Sequence, residues 1–364
     1  MVIFEALDAA HGDCFLIHFD DADGRRRLWL VDAGPPSTYP ERLSPRIEQL
    51  RGGRTLRVDL CMVTHIDDDH IGGVLALVRR ESRLVLEERV DGTVDLKEVW
   101  FNSFDDIVGA AKRVGRAAPA DILDAHRAAT AEVASFQQGS ELRRTLSALR
   151  VPMNASVPGG LISAPTTLRE LAGAKVTVLA PLKARLDALR DKWAKAAAKP
   201  RGARPAELAG LFREDLDTSV PNLSSIVAMV EAGGKRILLT GDARGDDIVA
   251  GWQAARQGSD HPFLVDVMKV PHHGSDRGIT EGFLRQFPAR HYVISANGRD
   301  GNPKPAVLEQ IAYTQEGRPC TIHVTNDLPH VRAAMATIQG RPGNRIAYRA
   351  RDAAVDPLSL RIEL

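Results

Sequence analysis

The chain predicts an α/β fold, on two observations. Short apolar runs such as Trp29-Leu30-Val31, 226–231 and 265–270 alternate with longer segments whose apolar residues recur at helical spacing. Several of these runs also stop at ligand-type or turn residues: Asp32-Ala33-Gly34, His65, Gly241-Asp242 and His272-His273. Polar side chains at strand ends gather along one rim of a layered protein, where loops carry function. A chain of 364 residues could form two average domains or one large α/β domain with an insert, and no internal repeat divides it.

Composition narrows the function classes. There are 48 Lys and Arg against 47 Asp and Glu, so no global basic field marks a nucleic-acid binder, and any such contact must come from a local patch. No run of 18 apolar residues suggests a membrane span, and the start lacks the basic and apolar regions of a secretory signal. Cys14, Cys61 and Cys320 are scattered and lack zinc-ribbon spacing. They fit reduced thiols, and a cytoplasmic location is expected.

The elements follow in order. Residues 3–7, 15–19 and 27–31 read as strands, with a turn at 20–24 and both ends of the hairpin at one rim. A short helix is expected over 44–50, with Ser44 as its cap and Pro45 at its first position. The run 58–63, broken by Asp59, reads as one buried strand and 74–78 as the helix opened by Gly72-Gly73. Residues 96–101 predict another strand. From 105 to 150 the pattern is helical and Ala-rich, with a break at Gly139-Ser140. Strands are expected at 176–179, 226–231, 236–240, 265–270, 292–296 and 321–324, the last at a sheet edge. Helices are expected at 183–198 and 306–312, and a final strand pair after the turn at 340–343.

The stretch from Val63 to Gly73 organises the rest. His65, Asp67, Asp69 and His70 fall on one strand-to-helix connection, with Asp68 between them. Three carboxylates this close repel one another, and a divalent cation removes that cost. With Asp242 after a second strand and His272 and His273 after a third, the donors exceed what one tetrahedral zinc needs. Two divalent ions, Zn or Mn, fit the count better. Asp67 makes the donor set harder and moves preference toward Mn²⁺.

The motif His65-x-Asp67-x-Asp69-His70 resembles the metallo-β-lactamase superfamily signature, His-x-His-x-Asp-His, with Asp67 in place of its second His. This variant is similar to the hydrolase domain of the DNA-uptake channel protein ComEC and its free-standing relatives. The opening turn His11-Gly12-Asp13, the Asp32-Ala33-Gly34 closing the hairpin, Thr240-Gly241-Asp242 and Lys269-Val270-Pro271-His272-His273-Gly274-Ser275 extend the resemblance over about 1–103 and 215–325. Asn302 stands where relatives often carry His. The resemblance implies an αββα sandwich, two mixed sheets face to face with helices outside. It would be a single domain over 1–364, with a largely helical insert at 103–215. It implies His65 and Asp67 on one ion, Asp69 and His70 on the other, Asp242 bridging, and His272 or His273 completing the shells. Asp32 would orient a ligand imidazole or cap a turn. Asn222, Ser225 and Asn302 would offer donors to substrate oxygens, and Asp69 would both ligate and orient the attacking water.

A basic stretch within 183–204, including Lys192, Lys195, Lys199 and Arg201 beside Trp193, suits a phosphate-tracking surface or a solvated helix. Three functions follow as expectations. The first is a metal-dependent phosphodiesterase, a nuclease acting on DNA through a water activated by two ions. The second is a hydrolase of a small ester, lactone or phosphodiester, and the third a non-catalytic metal-bound scaffold.

Overall fold

A computed structural model describes residues 1–103, 106–107, 131–197, 222, 224–256, 261–315 and 317–364, with the backbone alone at 131–136, 189 and 192–197. The first sheet grows from a meander of β1 (Val2–Leu7), β2 (Phe15–Asp20) and β3 (Arg26–Val31). Every residue of β1 is buried, because another sheet covers one face and helices the other. At the β2–β3 turn the Asp21 carboxylate accepts the backbone N–H groups of Asp23 (2.9 Å) and Arg25 (2.8 Å).

The apolar run expected as one strand over 58–63 is two. β4 (Leu56–Val58) leaves the sheet to pair with β6 (Val94–Leu96), while β5 (Leu60–Met62) runs parallel to β3. Asp59 causes the split. Its carboxylate accepts the Leu28 N–H at 3.1 Å and pairs with Arg27 (2.9 Å) and Arg57 (2.8 Å). The expected strand over 96–101 divides likewise, into β6 and β7 (Val99–Trp100). With β16 (Ser359–Glu363), the first sheet has the order β16-β1-β2-β3-β5-β7.

The second sheet contains β8 (Thr166–Leu171), β9 (Ala174–Ala180), β10 (Val227–Ala232), β11 (Lys235–Leu239), β12 (Val265–Lys269), β13 (Ala289–Ile294), β14 (Cys320–Val324) and β15 (Ile346–Ala350). Its order is β15-β14-β13-β12-β11-β10-β9-β8, antiparallel from β8 to β11 and parallel from β11 to β15. Three expectations are corrected. β14 is flanked by β13 and β15 and is no edge. β15 and β16 are not a pair, since β15 joins β14 and β16 joins β1. β8 had no apolar run to announce it, because as an edge strand it exposes much of its length. β8 and β9 fall inside 103–215, so that segment supplies sheet as well as helix.

Helices cover both outer faces. α1 (Ser44–Arg51), α2 (Asp68–Ser82) and α3 (Ala131–Ala148) pack their apolar faces with Leu7, Leu16 and Leu30 of the first sheet. α4 (Lys183–Ala197) follows β9. α5 (Gly245–Ala255), α6 (Glu281–Gln286), α7 (Pro305–Thr314) and α8 (Pro329–Gln339) bury Trp252, Phe283, Val307 and Met335 against the second sheet. Phe4, Phe15, Trp29, Val176, Val230 and Val267 fill the space between the sheets. The result is four layers, helix–sheet–sheet–helix, with two mixed sheets.

Ser44 is no cap, because the turn Tyr39–Leu43 runs helically into α1. Nor does α3 break at Gly139-Ser140. There the missing Cβ leaves room for Ile66, whose Cγ2 lies 3.3 Å from where that carbon would stand. All three cysteines are buried free thiols. No helix among the described residues is long and apolar enough to cross a membrane.

Candidate metal centre

The site begins where β5 gives way to α2. Asp67 is extended (φ −68°, ψ 144°), and its carbonyl accepts the N–H groups of His70 (2.9 Å) and Ile71 (3.0 Å). The helix therefore starts at Asp68, ahead of the expected opening at Gly72-Gly73. Asp68 and Asp69 occupy its first turn, where the positive end of the helix dipole favours carboxylates. Gly72 and Gly73 are needed for contact instead. A Cβ at Gly72 would run into Pro36, and one at Gly73 into the Ala33 carbonyl.

Three imidazoles converge here with their outer nitrogens free. His70 Nδ1–H donates to Asp32 Oδ2 at 2.9 Å. His273 Nδ1–H donates to the Ser295 carbonyl at 3.0 Å, an oxygen that can only accept. The Thr64 hydroxyl donates to Asp32 Oδ2 at 2.8 Å, so it accepts from His65 Nδ1–H at 3.1 Å. Asp32 thus sets His70 directly and His65 through Thr64. On the neutral rings each Nε2 is then the lone-pair nitrogen, and each of the three is buried with no hydrogen-bond partner among the described residues. Asn222 Nδ2 stands 3.5 Å from Nε2 of His272, whose side chain is a third exposed.

Carboxylates face these lone pairs. Asp242 Oδ1 is 3.4 Å from His70 Nε2, and its Oδ2 is 3.4 Å from His273 Nε2 and 3.8 Å from His272 Nε2. Asp69 Oδ2 is 3.5 Å from His273 Nε2, and Asp67 Oδ2 is 3.7 Å from His65 Nε2. Two ligands sharing a tetrahedral cation at about 2.0–2.1 Å stand about 3.4 Å apart, so these spacings suit a shared ion. His65, His70 and Asp242 form one group able to hold an ion, and Asp69, His70 and His273 another. The donor set, imidazole nitrogens beside ionised carboxylates, fits a divalent metal, and the three Nε2 atoms are buried with no hydrogen-bond partner among the described residues.

The electrostatics point the same way. Burial opposes charge on His70, yet Asp242, Asp32 and Asp69 hold its pKa well above the ordinary histidine value. Burial likewise opposes charge on His273, and Asp242 and Asp13 push its pKa up. Burial and the neighbouring His70 drive His65 down to about 3. Carboxylates that draw a proton so strongly onto His70 and His273 would draw a divalent cation into the same space.

Two further residues, given no role in the sequence analysis, belong to the cluster. Asp13 Oδ1 lies 3.3 Å from His273 Nδ1, and Lys269 Nζ lies 2.6 Å from Asp13 Oδ2 and 3.3 Å from Asp242 Oδ1. Both stand inside the quoted motifs, Asp13 in the opening turn and Lys269 before the paired histidines. Their position in those motifs was the available clue. The backbone bends to deliver the pair: His272 (φ 48°, ψ 49°) and His273 (φ 53°, ψ 24°) are left-handed, a conformation that costs non-glycine residues energy and marks functional sites.

The first third of the chain resembles a known family. Residues 7–126 match the family model of the metallo-beta-lactamase superfamily. The fold is consistent with that superfamily's two-sheet sandwich. Among solved structures the chain is similar to Zn(2+)-bound PqqB from Methylobacterium extorquens, with 13% identity over 100% of both chains and a TM-score of 0.41. No curated protein matches significantly.

The structure brings together His65, Asp67, Asp69, His70, Asp242, His272 and His273 in one cluster. Ser225 is fully buried and its hydroxyl accepts the Asp242 N–H at 3.2 Å, so it steadies a ligand and faces no substrate. Asn302 is buried with its Oδ1 unpartnered, close to the Gly274 turn through Pro303. At the rim, His11 Nε2 accepts from the Arg299 guanidinium at 2.7 Å. Lys199 and Arg201, the side chains of Lys192, Trp193 and Lys195, and His126 lie outside the described residues. Of the same basic stretch, Lys183 and Arg190 both pair with Asp187 (2.8 and 2.9 Å), and Arg185 pairs with Asp247 at 3.0 Å.

Proposed function

We propose that the chain is a metal-dependent hydrolase of phosphodiesters, with DNA as its substrate and two divalent ions, Zn or Mn, as cofactors. One observation carries this reading: the buried Nε2 atoms of His65, His70 and His273 converge on Asp69 and Asp242 with no hydrogen-bond partner among the described residues. His65, Asp67 and Asp242 would hold one ion, and Asp69, His70 and His273 the other, with Asp242 shared and His272 at the open side. Bound there, such ions supply positive charge to an attacked ester and lower the pKa of water.

The protein's own groups complete the chemistry. Asp32 and Thr64 lock the imidazole tautomers, and Ser225 and Lys269 fix Asp242. Asp69, a quarter exposed and held ionised by His70 and His273 against the penalty of burial, would orient an incoming water and act as its base. Arg299 gives the rim a cation for an anionic substrate, and Asn222 offers an amide donor beside His272. The resemblance to the ComEC hydrolase domain favours DNA, and the basic stretch around Lys192–Arg201 would follow its phosphates.

Incubation of the purified protein with Mn²⁺ or Zn²⁺ and plasmid or single-stranded DNA tests this, beside bis-nitrophenyl phosphate and a panel of chromogenic esters. Cleavage of DNA and of the diester, lost in Asp69→Ala/His70→Ala, is expected. Cleavage of carboxylic esters alone would replace the substrate. No turnover together with less than one bound ion per chain would leave a scaffold.

A further inference from the structure

Two groups of three donors at the metal centre compete for one atom. His65, His70 and Asp242 make one group, and Asp69, His70 and His273 the other. His70 Nδ1–H is committed to Asp32 Oδ2 at 2.9 Å, so the neutral ring has one lone pair to give, at Nε2. One imidazole nitrogen serves one ion. Filling either group therefore leaves the other a donor short.

The carboxylates decide which group keeps His70. On the Asp69 side two of them face one imidazole. Asp69 Oδ2 lies 3.5 Å and Asp242 Oδ2 3.4 Å from His273 Nε2. On the His65 side the buried carboxylate oxygen is Asp242 Oδ1, 3.4 Å from His70 Nε2. The Lys269 ammonium lies 3.3 Å from that same oxygen. It is anchored there by the Gly241 carbonyl at 2.7 Å and by Asp13 Oδ2 at 2.6 Å. A fixed cation so close offsets part of the pull of Asp242 Oδ1 on an ion, and burial leaves that charge little screened. Asp67 approaches His65 Nε2 to 3.7 Å but belongs to no group of three donors among the described residues.

We infer that the centre takes up its ions in sequence. The first binds tightly on Asp69, His70, His273 and Asp242 Oδ2. The second binds more weakly on His65, Asp67 and Asp242 Oδ1, and Lys269 keeps it weak. This rests on the two-ion reading proposed above. On that reading turnover needs both ions, so the free concentration of the divalent metal regulates it through the second position.

Calorimetric titration of the metal-free full chain with Zn²⁺ at neutral pH tests the order of filling. Two steps of one ion each are expected, with Kd values about tenfold or more apart. Asp67→Asn should weaken the second step and leave the first, and Asp69→Asn should weaken the first. Both side chains are partly exposed, so neither change opens the core. Lys269→Met, with circular dichroism to follow its fold, should tighten the second step more than the first and narrow the gap. Two steps of equal affinity, uptake of fewer than two ions, a first step weakened by Asp67→Asn, or a gap that a folded Lys269→Met leaves as wide would overturn the inference. No substrate enters the titration, so failure of the hydrolase reading alone would show as absent turnover with both steps intact.

Discussion

Lys269 Nζ lies 2.6 Å from Asp13 Oδ2, with both side chains 1% exposed. The ammonium also touches Asp242 Oδ1 at 3.3 Å, so one fixed cation offsets part of the negative charge of the cluster. Lys269→Met leaves both carboxylates buried without that cation. The metal-free variant should lose about 3–5 kcal/mol of stability. Added Mn²⁺ or Zn²⁺ should then restore more stability in the variant than it adds to the parent, because the site has become more negative. Urea unfolding of both proteins with and without metal measures the two differences.

Asp32 ionically grips His70 and reaches His65 through the Thr64 hydroxyl. Asp32→Ala frees both rings to turn and to exchange tautomers. Metal affinity should fall about 10–100-fold while far-ultraviolet circular dichroism stays near that of the parent. Competition with a chromophoric chelator gives the affinity. Asp32→Asn should fall between the two, since its amide oxygen can still accept from His70.

Gly12 lies against the backbone of Asp69, and a Cβ there would overlap the Asp69 carbonyl. The same carbonyl accepts the Asp13 N–H at 3.2 Å. Gly12→Ala must therefore push apart the Asp13 turn and the first turn of α2. Since a displacement of about 1 Å can cost about 10²-fold in rate, catalysis should drop by that order. The melting temperature should move by a few degrees, which separates lost geometry from lost folding. Turnover of bis-nitrophenyl phosphate alongside a thermal melt tests this.

Glu5, fully buried in β1, accepts hydrogen bonds from Arg46 Nη2 at 3.0 Å, the Ser359 hydroxyl at 2.6 Å and His18 Nε2 at 3.2 Å. Burial works against its charge, but His18, Arg46 and Ser359 lower its pKa from 4.5 to about 2. The folded value lies below the unfolded one, so the ionised group stabilises fully above pH 4.5 and loses that contribution as pH falls toward about 2. Its size is about 3 kcal/mol. Glu5→Gln should be less stable than the parent by that order at neutral pH, with the gap closing in acid. Denaturant unfolding across that window measures it.

Much of this was legible in the chain because rim chemistry is local. His65, Asp67, Asp69 and His70 announce themselves by density, and Asp242 and His272-His273 by standing at strand ends. Asp13 and Lys269 were harder to see. A lone Asp in a turn and a lone Lys closing a strand look ordinary until distant segments meet. Asp59 was visible within the run 58–63 as an interruption, but only its partners Arg27, Arg57 and the Leu28 N–H show that it diverts the chain to another sheet. The edge strand β8 escaped because it has no uninterrupted apolar run to mark it.

Asp13, Asp32, His65, Asp69 and His70 are hung from the first sheet, and Asp242, Lys269, His272 and His273 from the second. The constellation therefore straddles the boundary between two slabs held face to face mainly by side-chain interdigitation, with a few hydrogen bonds across it such as Ile226 N–H to the Thr64 carbonyl at 2.8 Å. A slight slide of one slab over the other would alter no strand, helix or ladder. It would still pull every cross-boundary spacing out of true. Turnover should thus act as a vernier for inter-sheet alignment, so a repacked interior at Phe15 or Val230 could leave an intact, soluble molecule that has nonetheless stopped working.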